Sequence, residues 1–540
     1  MMMKNQHKLL FSLLFAAALS ACGTQSDNTQ ANKQRTAPAP ASGGVVLYGQ
    51  IRGDMQYQRT SLERSFIPPQ NTERYGKISD NPVHIVAQEP VSTFSIDVDT
   101  GSYSNVRRFL NDGRLPPADA VRTEELLNYF DYAYPQPKGE HPFAIHTVTV
   151  DSPWQANAKL IKIGIAAENR DFGTLPAANL VFLVDVSGSM MSENKLPLVK
   201  KTLRLLTEQL RPQDKVTLIT YASGEELILP PTSGRHKDKI LAAINRLQAG
   251  GSTAGEAAIQ LAYKQAQKAY INNGINRILL ATDGDFNVGI TDFDTLKSMV
   301  AEKRKSGISL STFGYGSGNY NEQLMEQIAD AGDGNYSYID NEQEAKKVLQ
   351  RQLTSTLATV AQDMKIQVEF NPATVAEYRL VGYENRALRQ EDFNNDQVDA
   401  GDIGAGHSVT ALYEIIPAGE KGWNSPSRYT PSAATGGYAN EYAHVRVRYK
   451  KPQGKTSILL EQAVPVGAIT LKQADDDTRF AIAVASYGQM LRGGKFNGAQ
   501  SWDNILRLGQ AAQGRDAFGL RAEWLELVKI AKSLSAQPPQ

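Results

Sequence analysis

Five oxygen-bearing side chains are the ones whose types and spacing could do chemistry. Asp185, Ser187 and Ser189 stand in "DVSGS", Thr253 in "GGSTAGEAA" and Asp283 in "ATDGD". None is a thiol or an imidazole. A set built from carboxylate and hydroxyl oxygens suits a hard divalent cation: Mg²⁺ first, with Ca²⁺ or Mn²⁺ also compatible. Two carboxylates and three hydroxyls, some acting through water, leave one coordination position open. A carboxylate from outside the chain could fill it.

Residues so far apart in sequence can share a ligand only if the fold gathers them. "NLVFLVD" (179–185) is a continuous apolar run closed by a Ser/Gly loop, the pattern of a strand buried on both faces. "KLPLVKKTLRLLTEQL" follows with Leu196, Val199, Leu203, Leu206 and Leu210 along one helical face. Strand-like "KVTLITYA", helix-like segments at 236–248 and 254–270, and strand-like "NRILLATDGD" continue the alternation as far as "NYSYID". That order predicts an α/β fold with a doubly wound parallel sheet. Ligands of such sheets sit in the crevice outside the strand C-termini, where Asp185, Thr253 and Asp283 would meet.

At these positions the sequence resembles the von Willebrand factor A (VWA) domain and its metal-ion-dependent adhesion site. Asp185, Ser187 and Ser189 match the Asp-x-Ser-x-Ser element, and Thr253 and Asp283 match its separate Thr and Asp. The resemblance implies a Rossmann-like domain that binds a protein partner through the cation. The neighbouring Asp285 is expected to be solvated or to stand behind the ligands.

A second acidic stretch, "SIDVDTGSYSNVRRF", offers Asp97 and Asp99. Asp99-Thr-Gly resembles the catalytic element of pepsin-like proteases, and Asp97-x-Asp99 the nucleophile strand of a phosphatase. An acid protease needs a second such element to share the proton, and the chain carries none. The helix-like sequence that follows fits neither fold. The expectation is therefore structural: Asp99, Thr100 or Ser102 capping a helix that carries Tyr103, Val106 and Leu110. No peptidase or phosphatase turnover is expected, and an envelope hydrolase using Asp97 and Asp99 is the alternative.

The N-terminus combines Lys4 and Lys8 with an apolar run from Leu9 to Leu19, too short for a stable span, and so predicts an export signal. Leu19-Ser20-Ala21-Cys22 resembles the bacterial lipobox, which implies cleavage before the chain's one cysteine and its acylation. Several acyl chains give firm anchorage, at roughly 0.8 kcal/mol per buried methylene. Gly23, in place of Asp, favours the outer membrane facing the periplasm by resemblance to enteric lipoproteins. Lysine plus arginine balance aspartate plus glutamate at 57 each, which gives no electrostatic reason to expect nucleic acid.

The remaining sequence completes the expected organisation. Residues 80–150 and the region after the VWA segment resemble the accessory parts of a group of bacterial envelope proteins. Strands of alternating polarity are expected at 364–372, 408–417 and 441–450, and helices beyond 470. Asp392, Asn394 and Asp396 have EF-hand-like spacing without the following Gly, and are expected to form an acidic loop. The expected partition is 1–21 lipoprotein signal peptide, 22–79 lipidated cysteine and tether, and 80–175 accessory domain. It continues with 176–345 VWA domain, 346–465 β-rich region and 466–540 helical region. The expected function is an envelope lipoprotein whose cation site binds a protein partner that supplies a carboxylate, in adhesion, scaffolding or envelope assembly. A structural lipoprotein with an inert metal site is the other alternative.

Overall fold

Ala178–Asp185 is buried at every residue and forms the centre of a six-stranded sheet. Its side chains alternate between two cores. Leu180, Phe182 and Val184 face one, with Leu196, Val199, Leu203 and Leu206 of the helix Leu196–Gln209. Val181 and Leu183 face the other, with Ala258, Ile259, Ala262 and Ala266 of Gly255–Lys268. Each large aliphatic side chain so buried contributes about 1.5–3 kcal/mol. Two covered faces explain the unbroken apolar run in the sequence.

The strand order across this sheet is Tyr336–Ile339, Ser309–Tyr315, Ile275–Thr282, Ala178–Asp185, Lys215–Tyr221, Glu225–Ser233. All neighbouring pairs are parallel except the last. The antiparallel edge strand Glu225–Ser233 departs from the all-parallel expectation. Pro230 and Pro231 cannot donate to a ladder, so that strand is tolerated only at an edge.

This computed structural model describes residues 73–537, apart from 171–172, 174, 253–254, 285–292, 350–358, 399, 426–437 and 453. The compact unit that holds them spans Ile67–Gln540. The signal peptide, Cys22 and most of the tether lie outside the described residues. No described helix is long and apolar enough to cross a membrane.

Two antiparallel sheets flank the parallel one, and both mix strands from before and after it. One runs His84–Ile85, Val375–Val381, Ser408–Pro417, Lys159–Ala167, Phe143–Asp151. The other runs Ala387–Leu388, Val91–Ser95, Thr359–Phe370, Glu441–Lys450, Ser457–Pro465, with Gly401–Gly404 added to Thr359–Phe370. Val91–Ser95 thus pairs with Thr359–Phe370, and Lys159–Ala167 with Ser408–Pro417. Segments that are distant along the chain are interwoven in space.

The helix Gly101–Asn111 packs Tyr103, Val106 and Leu110 against Phe480, Val484 and Trp524 of the C-terminal helices Asp476–Leu491 and Leu520–Ser535. Its capping differs from expectation. Thr100 occupies the N-cap position but makes no side-chain cap. Instead the carboxylate of Glu125, from the helix Thr123–Asn128, accepts the N–H of Ser102 at 2.8 Å. The Ser102 hydroxyl donates to the carbonyl of Ala120.

Candidate functional site

The loop after the central strand is built around the Asp185 carboxylate, which is fully buried. One oxygen accepts the backbone N–H of Ser187 at 2.9 Å. The other accepts the hydroxyl of Thr282, from the neighbouring strand, at 2.8 Å. Burial pushes the carboxyl up to about 6, partly offset by these hydrogen bonds, and the charge of Asp283 pushes in the same direction as burial. The two acids are therefore close enough to repel one another, as ligands of one cation would be.

The bend at Gly188 turns two hydroxyls toward each other, with Ser187 Oγ and Ser189 Oγ 3.1 Å apart. Two backbone hydrogen bonds lock this loop to its neighbour: Gly188 N–H to the Gly251 carbonyl at 2.9 Å, and Gly250 N–H to the Val186 carbonyl at 2.7 Å. Thr253 itself, like Asp285, lies outside the described residues.

Asp283 follows the strand Ile275–Thr282 and is also fully buried. Its Oδ2 accepts the ammonium of Lys195 at 2.9 Å and the side-chain amide of Asn319 at 3.1 Å. Lys195 also donates to the side-chain amide oxygen, Oδ1, of Asn319 at 2.8 Å. Sequence reasoning missed both residues. Lys195 stands just ahead of an amphipathic helix, where a lysine ordinarily reaches solvent; here its stem runs past Gly316. A Cβ at Gly316 would lie 2.3 Å from Lys195 Cε, and its φ of +78° also favours glycine. Nothing in the sequence marks Asn319.

The described donors, Asp185, Ser187, Ser189 and Asp283, are oxygen-only and fit a hard divalent cation. Among the described residues, no group of three or more His, Cys, Asp or Glu is arranged to hold a metal. The EF-hand-like trio does not converge. Asp392 is paired with Arg389 at 2.9 Å, while Asp396 and Asn394 both contact Arg448 at 3.1 Å.

Asp97 and Asp99 meet Arg386 instead of a second protease element. Arg386 lies 3.1 Å from Asp99, 3.4 Å from Asp97, 3.1 Å from Glu326 and 3.0 Å from Asp330. The other Asp99 oxygen accepts the N–H of Tyr336 at 2.9 Å. Burial, opposed by Arg386, raises Asp97 to about 7, and burial and Asp97 raise Asp99. The pair joins the accessory segment to the parallel sheet and its helix Glu322–Ala331.

Residues 179–352 match the von Willebrand factor type A domain family. Residues 69–162 match a family described as von Willebrand factor, and 355–534 one described as uncharacterized protein YfbK, C-terminal. The chain is 48% identical over 501 residues to the uncharacterized protein YfbK of Escherichia coli K12, spanning 91% of this chain and 86% of that protein. It is 28% identical over 211 residues to the uncharacterized protein sll0103 of Synechocystis, spanning 39% and 49%. Among solved structures, von Willebrand factor type A from Catenulispora acidiphila aligns over 72% of this chain and 91% of its own. That alignment has 15% identity and a TM-score of 0.38.

Proposed function

The chain belongs to the YfbK family, and from that premise we propose that its VWA domain binds a protein partner through a divalent cation. Asp185, Ser187, Ser189, Thr253 and Asp283 would hold the cation, with Mg²⁺ preferred over Ca²⁺ or Mn²⁺. When bound, the cation supplies Lewis acidity toward an acidic side chain of the partner. The chain's own residues do the rest. Asp185 is fixed by Ser187 and Thr282, the two serine hydroxyls face each other, and without the cation Asp283 is paired with Lys195.

The observation that carries this reading is the pairing of a rigid Asp185–Ser189 loop with buried Asp283 at one edge of the parallel sheet. Lipidation at Cys22 would place the domain on the periplasmic face of the outer membrane, in adhesion, scaffolding or envelope assembly. A catalytic use of Asp97 and Asp99 is disfavoured by Arg386, which engages both carboxylates. The test is a pull-down from envelope extracts with and without EDTA, comparing wild type with Asp185→Ala. The reading expects a partner that is lost with EDTA and absent from Asp185→Ala. Capture that neither change affects would leave the inert-domain reading.

A further inference from the structure

Arg277 enters the strand Ile275–Thr282 at the end opposite Asp283. Six residue steps of extended chain separate the two, about 20 Å. The Arg277 side chain is only 7% exposed. One guanidinium nitrogen donates to Ser311 Oγ at 2.7 Å, while its buried Nε has no hydrogen-bond partner. Among the described residues Arg277 has no ion pair. A buried guanidinium with an unpartnered N–H and no direct ion pair is costly and points to something that completes it.

Arg277 lines a cavity of about 300 Å³ shared with five aspartates and with Arg386 and His407; of the aspartates, Asp333 is paired with Arg304. Asp97, Asp99 and Asp330 in this wall are held by Arg386. Asp402, exposed on Gly401–Gly404, makes no ion pair among the described residues. It accepts only neutral donors, the Asp363 N–H at 3.1 Å and the Gln362 amide at 3.3 Å. The cavity thus presents a guanidinium and a carboxylate that feel one another's charge without forming an ion pair.

We propose that this cavity is a binding site for a small zwitterion of the α-amino-acid class, its carboxylate on Arg277 and its ammonium on Asp402. A simple anion would face the surrounding aspartates, and a simple cation would leave Arg277 unsatisfied. A molecule carrying both charges a few bonds apart satisfies each wall, and the volume accommodates an amino acid. The electrostatics agree. Burial pulls Arg277 down to about 10, against the charges of Asp402 and Asp333.

The test is isothermal titration of the detergent-solubilised full chain with glycine, L-alanine and D-alanine. Ethylamine, propionate and CaCl₂ serve as single-charge controls. At least one amino acid should bind, with ethylamine and propionate about tenfold weaker or undetectable, because each forfeits one charge-assisted contact. Arg277→Gln and Asp402→Asn should each weaken binding about tenfold. Because Arg277 is buried, Asp402→Asn at the solvent-reached wall is the variant that reads binding without a folding defect, checked by circular dichroism. Asp283→Ala should leave amino-acid binding unchanged, which separates this site from the cation site. Propionate or ethylamine binding as tightly as the amino acids, Ca²⁺ binding lost in Asp402→Asn, or no amino-acid binding at millimolar concentration would each overturn the proposal.

Discussion

The ammonium of Lys195 lies 2.9 Å from Oδ2 of Asp283, and both side chains are buried. A lysine on one ligand of a proposed cation site neutralises part of the charge that would attract the metal. Replacing it should therefore have two opposite effects. In Lys195→Met, Asp283 keeps Asn319 but loses its counter-charge, which should destabilise the metal-free protein by about 3–5 kcal/mol. The same loss should tighten Mg²⁺ binding about tenfold, the equivalent of roughly 1.4 kcal/mol. Melting curves and Mg²⁺ titrations of the two proteins check this. Weaker Mg²⁺ binding by Lys195→Met would mean that Lys195 supports the site rather than competing at it.

Arg386 should behave as a structural clamp. It contacts buried Asp99 and Glu326 and half-buried Asp97 and Asp330, and removing it leaves those carboxylates facing one another. Arg386→Ala should cost about 3–5 kcal/mol in urea unfolding. Asp99→Asn should change neither casein nor aryl-phosphate turnover, because none is expected from the wild type. Turnover by the wild type that Asp99→Asn abolishes would reinstate a hydrolase.

A pH dependence follows from the cluster around Arg122, which lies 2.8 Å from Glu326, 3.4 Å from Glu125 and 3.6 Å from Glu322. Burial pushes Glu125 up to about 8 and Glu322 to about 7, against the pull of Arg122, and raises Glu326 as well. A carboxyl with a raised folded pKa adds stability that is complete below its unfolded pKa near 4.3 and drains as pH rises through the folded value. Thermal stability should therefore fall from about pH 4 to about pH 8 and level off above, with Glu125 contributing on the order of a few kcal/mol. Glu125→Gln, which can still accept the Ser102 N–H, should flatten that fall. An unchanged slope in the variant would place the dependence elsewhere.

Anchoring is tested at Cys22. The mature protein should carry a lipid adduct on Cys22 by intact mass, and Cys22→Ser should accumulate as precursor. A mature chain without the adduct would remove the lipoprotein reading.

The parallel sheet was legible because its signals are local. The run ending at Asp185 and the Leu196–Leu206 stripe each carry their period within one element. Asp185, Ser187 and Ser189 share one loop, so their proximity was readable in the same way. What the sequence hid was non-local. Lys195 and Asn319 reach Asp283 only through the folded sheet edge. Glu125 caps the helix at Ser102 in place of Thr100, from 23 residues downstream. Glu225–Ser233 escaped notice because its two prolines argue against a strand except at an edge. The pairing of Val91–Ser95 with Thr359–Phe370 spans the whole VWA domain, and alternation of polarity cannot report a partner that far away.

The most direct test of the cation site is anomalous diffraction from crystals grown with Mn²⁺, a stand-in for Mg²⁺ with oxygen-ligand preferences of its own class. The reading predicts a peak within coordination distance of both Ser187 Oγ and Ser189 Oγ, absent from crystals of Asp185→Ala. A wild-type map with no peak beside those hydroxyls, at a Mn²⁺ concentration that labels other carboxylates, would contradict it.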